Sequence, residues 1–75
     1  MIEDISQQLK NELLVLRKKI SDKRKQGEYT KLSEIMLMNI PSKIRLLEKC
    51  GEKTFVDEIR NIYKDVEEDL KVQYP

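Results

Sequence analysis

Residues 30–50 read TKLSEIMLMNIPSKIRLLEKC, and the position of Pro41 in this run decides how many helices the 75-residue chain holds. Thr30 can cap a helix that passes through Leu32, Ile35, Met36, Leu37, Met38 and Ile40. Proline removes a backbone donor and disfavours helical geometry at the residue before it, so a kink or short break is expected at residues 40–41. Beyond it Ile44, Leu46, Leu47 and Cys50 resume a helical pattern, and Gly51 marks its end. Residues 30–50 are therefore one kinked helix or two short ones.

The flanking segments are simpler. Ile2, Ile5, Leu9, Leu13, Leu16 and Ile20 recur at steps of three and four, which predicts one helix over residues 2–26 with a single apolar face. Its last turns hold Lys18, Lys19, Lys23, Arg24 and Lys25 beside the negative end of the helix dipole, and Gly27 is placed to supply a left-handed cap. On the other side, Phe55, Ile59, Ile62, Val66 and Leu70 form the stripe of a last helix over residues 54–72, with Thr54 and Asp57 resembling a capping box. Short connections favour antiparallel neighbours, so the expected fold is an all-α, single-domain, up-down-up three-helix bundle with its middle helix kinked or broken near Pro41.

Composition narrows the function. A chain this short buries only about 60% of its unfolded surface, so nearly every apolar side chain is needed for the core and little remains to enclose an active site. There is no histidine, and one cysteine alone builds neither a Cys-rich metal site nor an intramolecular disulfide. Cys50 lies at a helix C-terminus, where the dipole raises a thiol pKa, and reads as a small buried hydrophobe rather than a nucleophile. No catalytic group, cofactor or metal site is expected. No run reaches the roughly 18 apolar residues of a membrane span, and residues 1–8 lack the regions of a signal peptide, so the expected location is intracellular, in the cytoplasm.

What remains is apolar surface beyond the needs of one bundle. Leu14 and Val15 fall well off the stripe of the first helix, and residues 32–38 are apolar nearly all round, more than a three-helix bundle covers. Methionines there suit an adaptable contact. Tyr63 and Tyr74 sit at the edge of the last stripe, where a ring packs and a hydroxyl reaches out. Leu14, Val15, Leu37, Met38 and Tyr63 are accordingly the residues expected outside the core and at an interface with a larger protein. The expected role is a non-catalytic accessory subunit, adaptor or regulator, within an assembly that processes nucleic acid. The three-four spacing of the first helix also permits a homodimer.

The alternative is nucleic-acid binding. Arg17, Lys18, Lys19, Lys23, Arg24, Lys25 and Lys31 face only Asp22 and Glu28 in the same interval, a local charge of +5 that suits phosphate, although the whole chain carries just +1. The run LSEIMLMNIPSKIRLL, residues 32–47, resembles a helix-turn-helix DNA-reading unit, in which Leu-Ser-Glu-Ile opens one helix and Ile-Pro enters the next. It is one residue short between Ile35 and Ile40 and again between Ile40 and Ile44. The resemblance implies Ser42, Lys43 and Arg45 near the start of a recognition helix. With it, the candidate nucleic-acid contacts are Arg17, Lys18, Lys23, Arg24, Lys25, Lys43 and Arg45.

Overall fold

The computed structural model describes residues 2–72, and these are all helix, turn and loop with no strand among them. Helix α1 spans Ile2–Lys25, α2 Lys31–Leu37, α3 Ile40–Cys50 and α4 Lys53–Lys71. The long dimension of the molecule, 41 Å against 17 and 16 Å across, follows from the 24-residue first helix, which is about 36 Å long at 1.5 Å per residue.

Each helix end has a local cause. At Gly27 (φ 82°) the amide of Glu28 donates to the Lys23 carbonyl at 3.1 Å and that of Gly27 to Arg24 at 3.0 Å, the paired bonds of a Schellman cap. The cap expected at this glycine is therefore present. Gly51 (φ 66°) closes α3 in the same left-handed region, its amide donating to the Leu47 carbonyl at 2.8 Å.

Two expected caps differ. Thr30 precedes α2, but its hydroxyl donates to the Glu34 carboxylate at 2.7 Å instead of serving a backbone amide. Thr54 is the second residue of α4 rather than its cap, because the helix already begins at Lys53, and no capping box forms.

Between α2 and α3 the chain breaks at Met38–Asn39, two residues earlier than the proline suggests. Pro41 lies in the first turn of α3, where a missing donor costs nothing. The Met38 amide donates to Ile35 at 3.2 Å, a tightened last turn, and the chain bends there rather than reversing.

Burial explains why α2 and α3 act as one bent helix. The buried positions Ser33, Leu37, Ile40, Ile44 and Leu47 keep a four-three alternation straight through the break. Ser6, Leu9, Leu13, Leu16 and Ile20 of α1 alternate the same way, as do Ile59, Tyr63, Val66 and Leu70 of α4. Three seams of this spacing can interlock with one another along their length, and their apolar members form one contiguous core. Phe55, Val56, Ile62, Met36, Ile2 and Ile5 pack around it, half-buried.

The serines on these seams are satisfied across helices. Ser6 donates to Glu48 at 2.6 Å and Ser33 to Asp69 at 2.6 Å, and no buried side-chain nitrogen or oxygen among the described residues lacks a partner.

Candidate functional site

Of the five residues expected outside the core, three are outside. Leu14 is 63% exposed, Val15 56% and Met38 68%, whereas Leu37 is only 3% exposed and Tyr63 only 5%. Leu37 is buried because the bend keeps it on the seam that continues into α3. Tyr63 is buried because its hydroxyl has an inward partner: it donates to the backbone carbonyl of Leu9 on α1 at 2.7 Å. Burial, with the nearby Glu12 charge adding to it, pushes the Tyr63 phenol up to about 12. Tyr74 lies outside the described residues.

Leu14 and Val15 are adjacent in sequence but about 100° apart around α1, so they serve different grooves. Val15 borders the groove between α1 and α4, beside Tyr63, whose charged members Glu12, Arg60, Lys64 and Glu67 balance. Arg60 and Glu12 lie 3.6 Å apart across it.

Leu14 borders the groove between α1 and the bent helix, opposite Pro41 and Ile44 and flanked by Arg17 and Arg45. A second hollow between α1 and the bent helix, with Arg17 common to both, is lined by Ile20, Arg24, Glu34, Leu37 and Met38. The structure thus places Leu14 and Met38 in adjoining hollows on the side of the bent helix and Val15 on the α4 side.

Met38 also ends a stripe along α2. Leu32, Ile35 and Met38, spaced by three, are all exposed, which identifies the side of this apolar helix that the core leaves uncovered. Periodicity alone did not separate Ile35 from Leu37, since every side of the segment is apolar.

The basic residues do not form one patch. Lys18 pairs with Asp22 (4.0 Å), Lys23 with Glu28 (3.3 Å), Arg24 with Glu34 (3.2 Å) and Lys43 with Glu58 (2.6 Å). Lys23 faces the α1–α4 side together with Lys19, Glu67 and Lys71, away from Arg17 and Arg45. Lys25 is exposed beyond the end of the seam. Within the segment that resembles a helix-turn-helix, Ser42 and Arg45 are exposed and Arg45 donates to the Ser42 hydroxyl at 3.3 Å. The two-residue joint is shorter than the usual three- to four-residue turn of that motif.

One polar cluster sits at the far end of the groove. Glu48 accepts from Ser6 at 2.6 Å and from Lys10 at 3.0 Å, and these two bonds hold its carboxyl below the usual range, the Ser6 bond contributing most. Cys50 is exposed rather than buried, because it sits three residues past Leu47, where the alternation calls next for position 51, beside the turn at Gly51.

No helix among the described residues is long and apolar enough to cross a membrane. No protein-family model, curated protein or solved structure matches the chain.

Proposed function

We propose that this chain is a non-catalytic helical adaptor or accessory subunit that binds a larger protein through the groove between α1 and the bent helix. The reading includes an up-down-up bundle. It is supported by pairs such as Ser6–Glu48 and Ser33–Asp69, which join the start of one segment to the end of another. The observation that carries it is that Leu14 on α1 and Met38 at the end of α2 stand more than 60% exposed in adjoining hollows between α1 and the bent helix. A free Cys50 thiol on the surface suits a reducing, intracellular setting.

Affinity purification of the tagged chain from its native cells, with and without nuclease, tests this reading. A stoichiometric protein partner that survives nuclease and is lost from the Leu14→Asp/Met38→Asp variant is the expected result. Recovery that depends on nucleic acid would overturn it.

The adaptor reading places the chain in a nucleic-acid-processing assembly. The second reading is a nucleic-acid-binding module that uses the basic segment of residues 17–31 or the helix-turn-helix-like run over residues 32–47, and it is supported by Arg17 and Arg45, neither of which is in an ion pair among the described residues. It requires duplex or single-strand binding that weakens steeply with salt and is lost when Lys23, Arg24 and Lys25 are neutralised. Salt-independent binding, or none, removes it.

A further inference from the structure

The groove that carries the protein-binding reading also has a sign. Its apolar wall is Leu13, Leu14, Pro41 and Ile44, and Arg17 and Arg45 stand at its edges. Two carboxylates, Glu34 and Glu48, border it as well, but both are engaged within the chain, Glu34 by Arg24 and Thr30, Glu48 by Lys10 and Ser6. The guanidinium charges of Arg17 and Arg45 are thus the ones left to face a visitor.

Length adds a second constraint. Along α1 the two adjoining hollows extend from Lys10 to Arg24, about 21 Å at a rise of roughly 1.5 Å per residue, and the Lys10–Glu48 and Arg24–Glu34 pairs cross between the helices at the two ends. The apolar part of that lining, Leu13 to Ile20 along α1, covers about 10 Å or two turns, and an apolar wall of that size with basic edges is the complement of an amphipathic helix.

We infer that the groove between α1 and the bent helix seats an amphipathic helix of the partner protein, its apolar stripe against Leu14 and Pro41 and its flanking Asp and Glu side chains against Arg17 and Arg45. The inference rests on the protein-binding reading and adds the chemistry of the partner. A phosphate backbone would satisfy the arginines but leave the apolar wall uncovered. A second copy related by a two-fold axis through the groove would set Arg17 and Arg45 against their own counterparts, like charge on like. The α1–α4 groove, with balanced charges and polar Gln8 and Asn11, has no comparable preference.

The test pans the full chain against a displayed library of 16-residue helices, each bearing a leucine stripe flanked by Glu or Lys drawn at random. Glu-flanked helices are expected to be enriched. Their binding, read by fluorescence anisotropy, is expected to fall at least about tenfold in Arg17→Glu/Arg45→Glu and in Leu14→Asp, and to be unchanged in Val15→Asp. All these positions are exposed, and circular dichroism verifies that each variant stays helical.

Enrichment of Lys-flanked helices overturns the inference. Glu-flanked helices that are lost with Val15→Asp and kept with Leu14→Asp overturn the groove while leaving a protein-binding function standing. Absence of any enriched helix overturns the inference too, and the nuclease-resistant purification then decides separately whether protein binding survives. A dimer in sedimentation that Leu14→Asp dissociates would assign the groove to a second copy and equally overturn it.

Discussion

Replacing Tyr63 by Phe separates two effects that this one hydroxyl exerts on stability. At neutral pH the variant loses the 2.7 Å bond to the Leu9 carbonyl, while that oxygen keeps its place in the helical ladder of α1. The ring still fills the same space, so the cost is that of one buried hydrogen bond, about 1 kcal/mol. For a domain of this size that is a fall in Tm of about 4–8 °C. At high pH the sign reverses. An unfolded tyrosine ionises near its ordinary value of 10, whereas Tyr63 in the fold holds its proton to about 12. Its contribution is therefore complete below pH 10 and is lost as pH rises through 12, a loss on the order of 2 kcal/mol that Phe does not suffer. Urea unfolding of both proteins from pH 7 to pH 12 is the assay, and lysine titration and the other tyrosines affect both alike. The wild type should be the more stable at pH 7 and should lose that advantage, or fall below the variant, near pH 12. Stability curves that stay parallel over the whole range would refute the burial and bonding assigned to Tyr63.

Three further substitutions probe the remaining joints of the fold. Ser33→Ala, which removes the buried donor to Asp69, is expected to cost about 1.5–3 kcal/mol in urea unfolding, as for a hydrogen bond to a charged group, and an effect below about 0.5 kcal/mol would mean the bond is not formed. Gly51→Ala meets only the Ile2 side chain at 4.0 Å, so its expected cost of about 1 kcal/mol comes from backbone conformation at φ 66°, and an Asn at the same place should recover part of it. Ser6→Ala should raise the Glu48 pKa toward the usual carboxylate value in an NMR titration. Because that pKa is lowered in the fold, the stability it contributes is present above the ordinary carboxylate pKa and lost as pH falls through the lowered one, so the variant should show a weaker acid dependence.

The all-helical fold was legible because the stripes of α1 and α4 are regular. Leu9, Leu13, Leu16, Ile20, Ile59, Val66 and Leu70 are buried as their spacing predicts. What periodicity missed was polar residues with a way to be satisfied inside. Ser6 and Ser33 occupy seam positions that a count of apolar residues alone passes over, and their carboxylate partners lie on other helices, out of reach of a local pattern. Tyr63 was set at the edge for the same reason, since the Leu9 carbonyl that receives its hydroxyl is 54 residues away.

The middle segment was harder. With Leu32, Ile35, Met36, Leu37 and Met38 all apolar, only the continuation of the seam through Ile40 and Ile44 shows that Leu37 turns inward while Ile35 and Met38 stay out. Of the candidate site, the exposure of Leu14 and Val15 was readable from their phase. The sorting of Leu14 and Val15 into different grooves needed the positions of the bent helix and α4, which no single-helix pattern carries.

That sorting gives the most direct test of the account. A photocrosslinking amino acid placed at position 14 and, separately, at position 15 points into two grooves from neighbouring residues of one helix. Irradiation in native cells followed by nuclease treatment should yield a discrete protein adduct from position 14 and none from position 15. An adduct from position 15 alone, or only nucleic-acid adducts from position 14, would contradict the claim that the groove beside the bent helix is where this chain meets its partner.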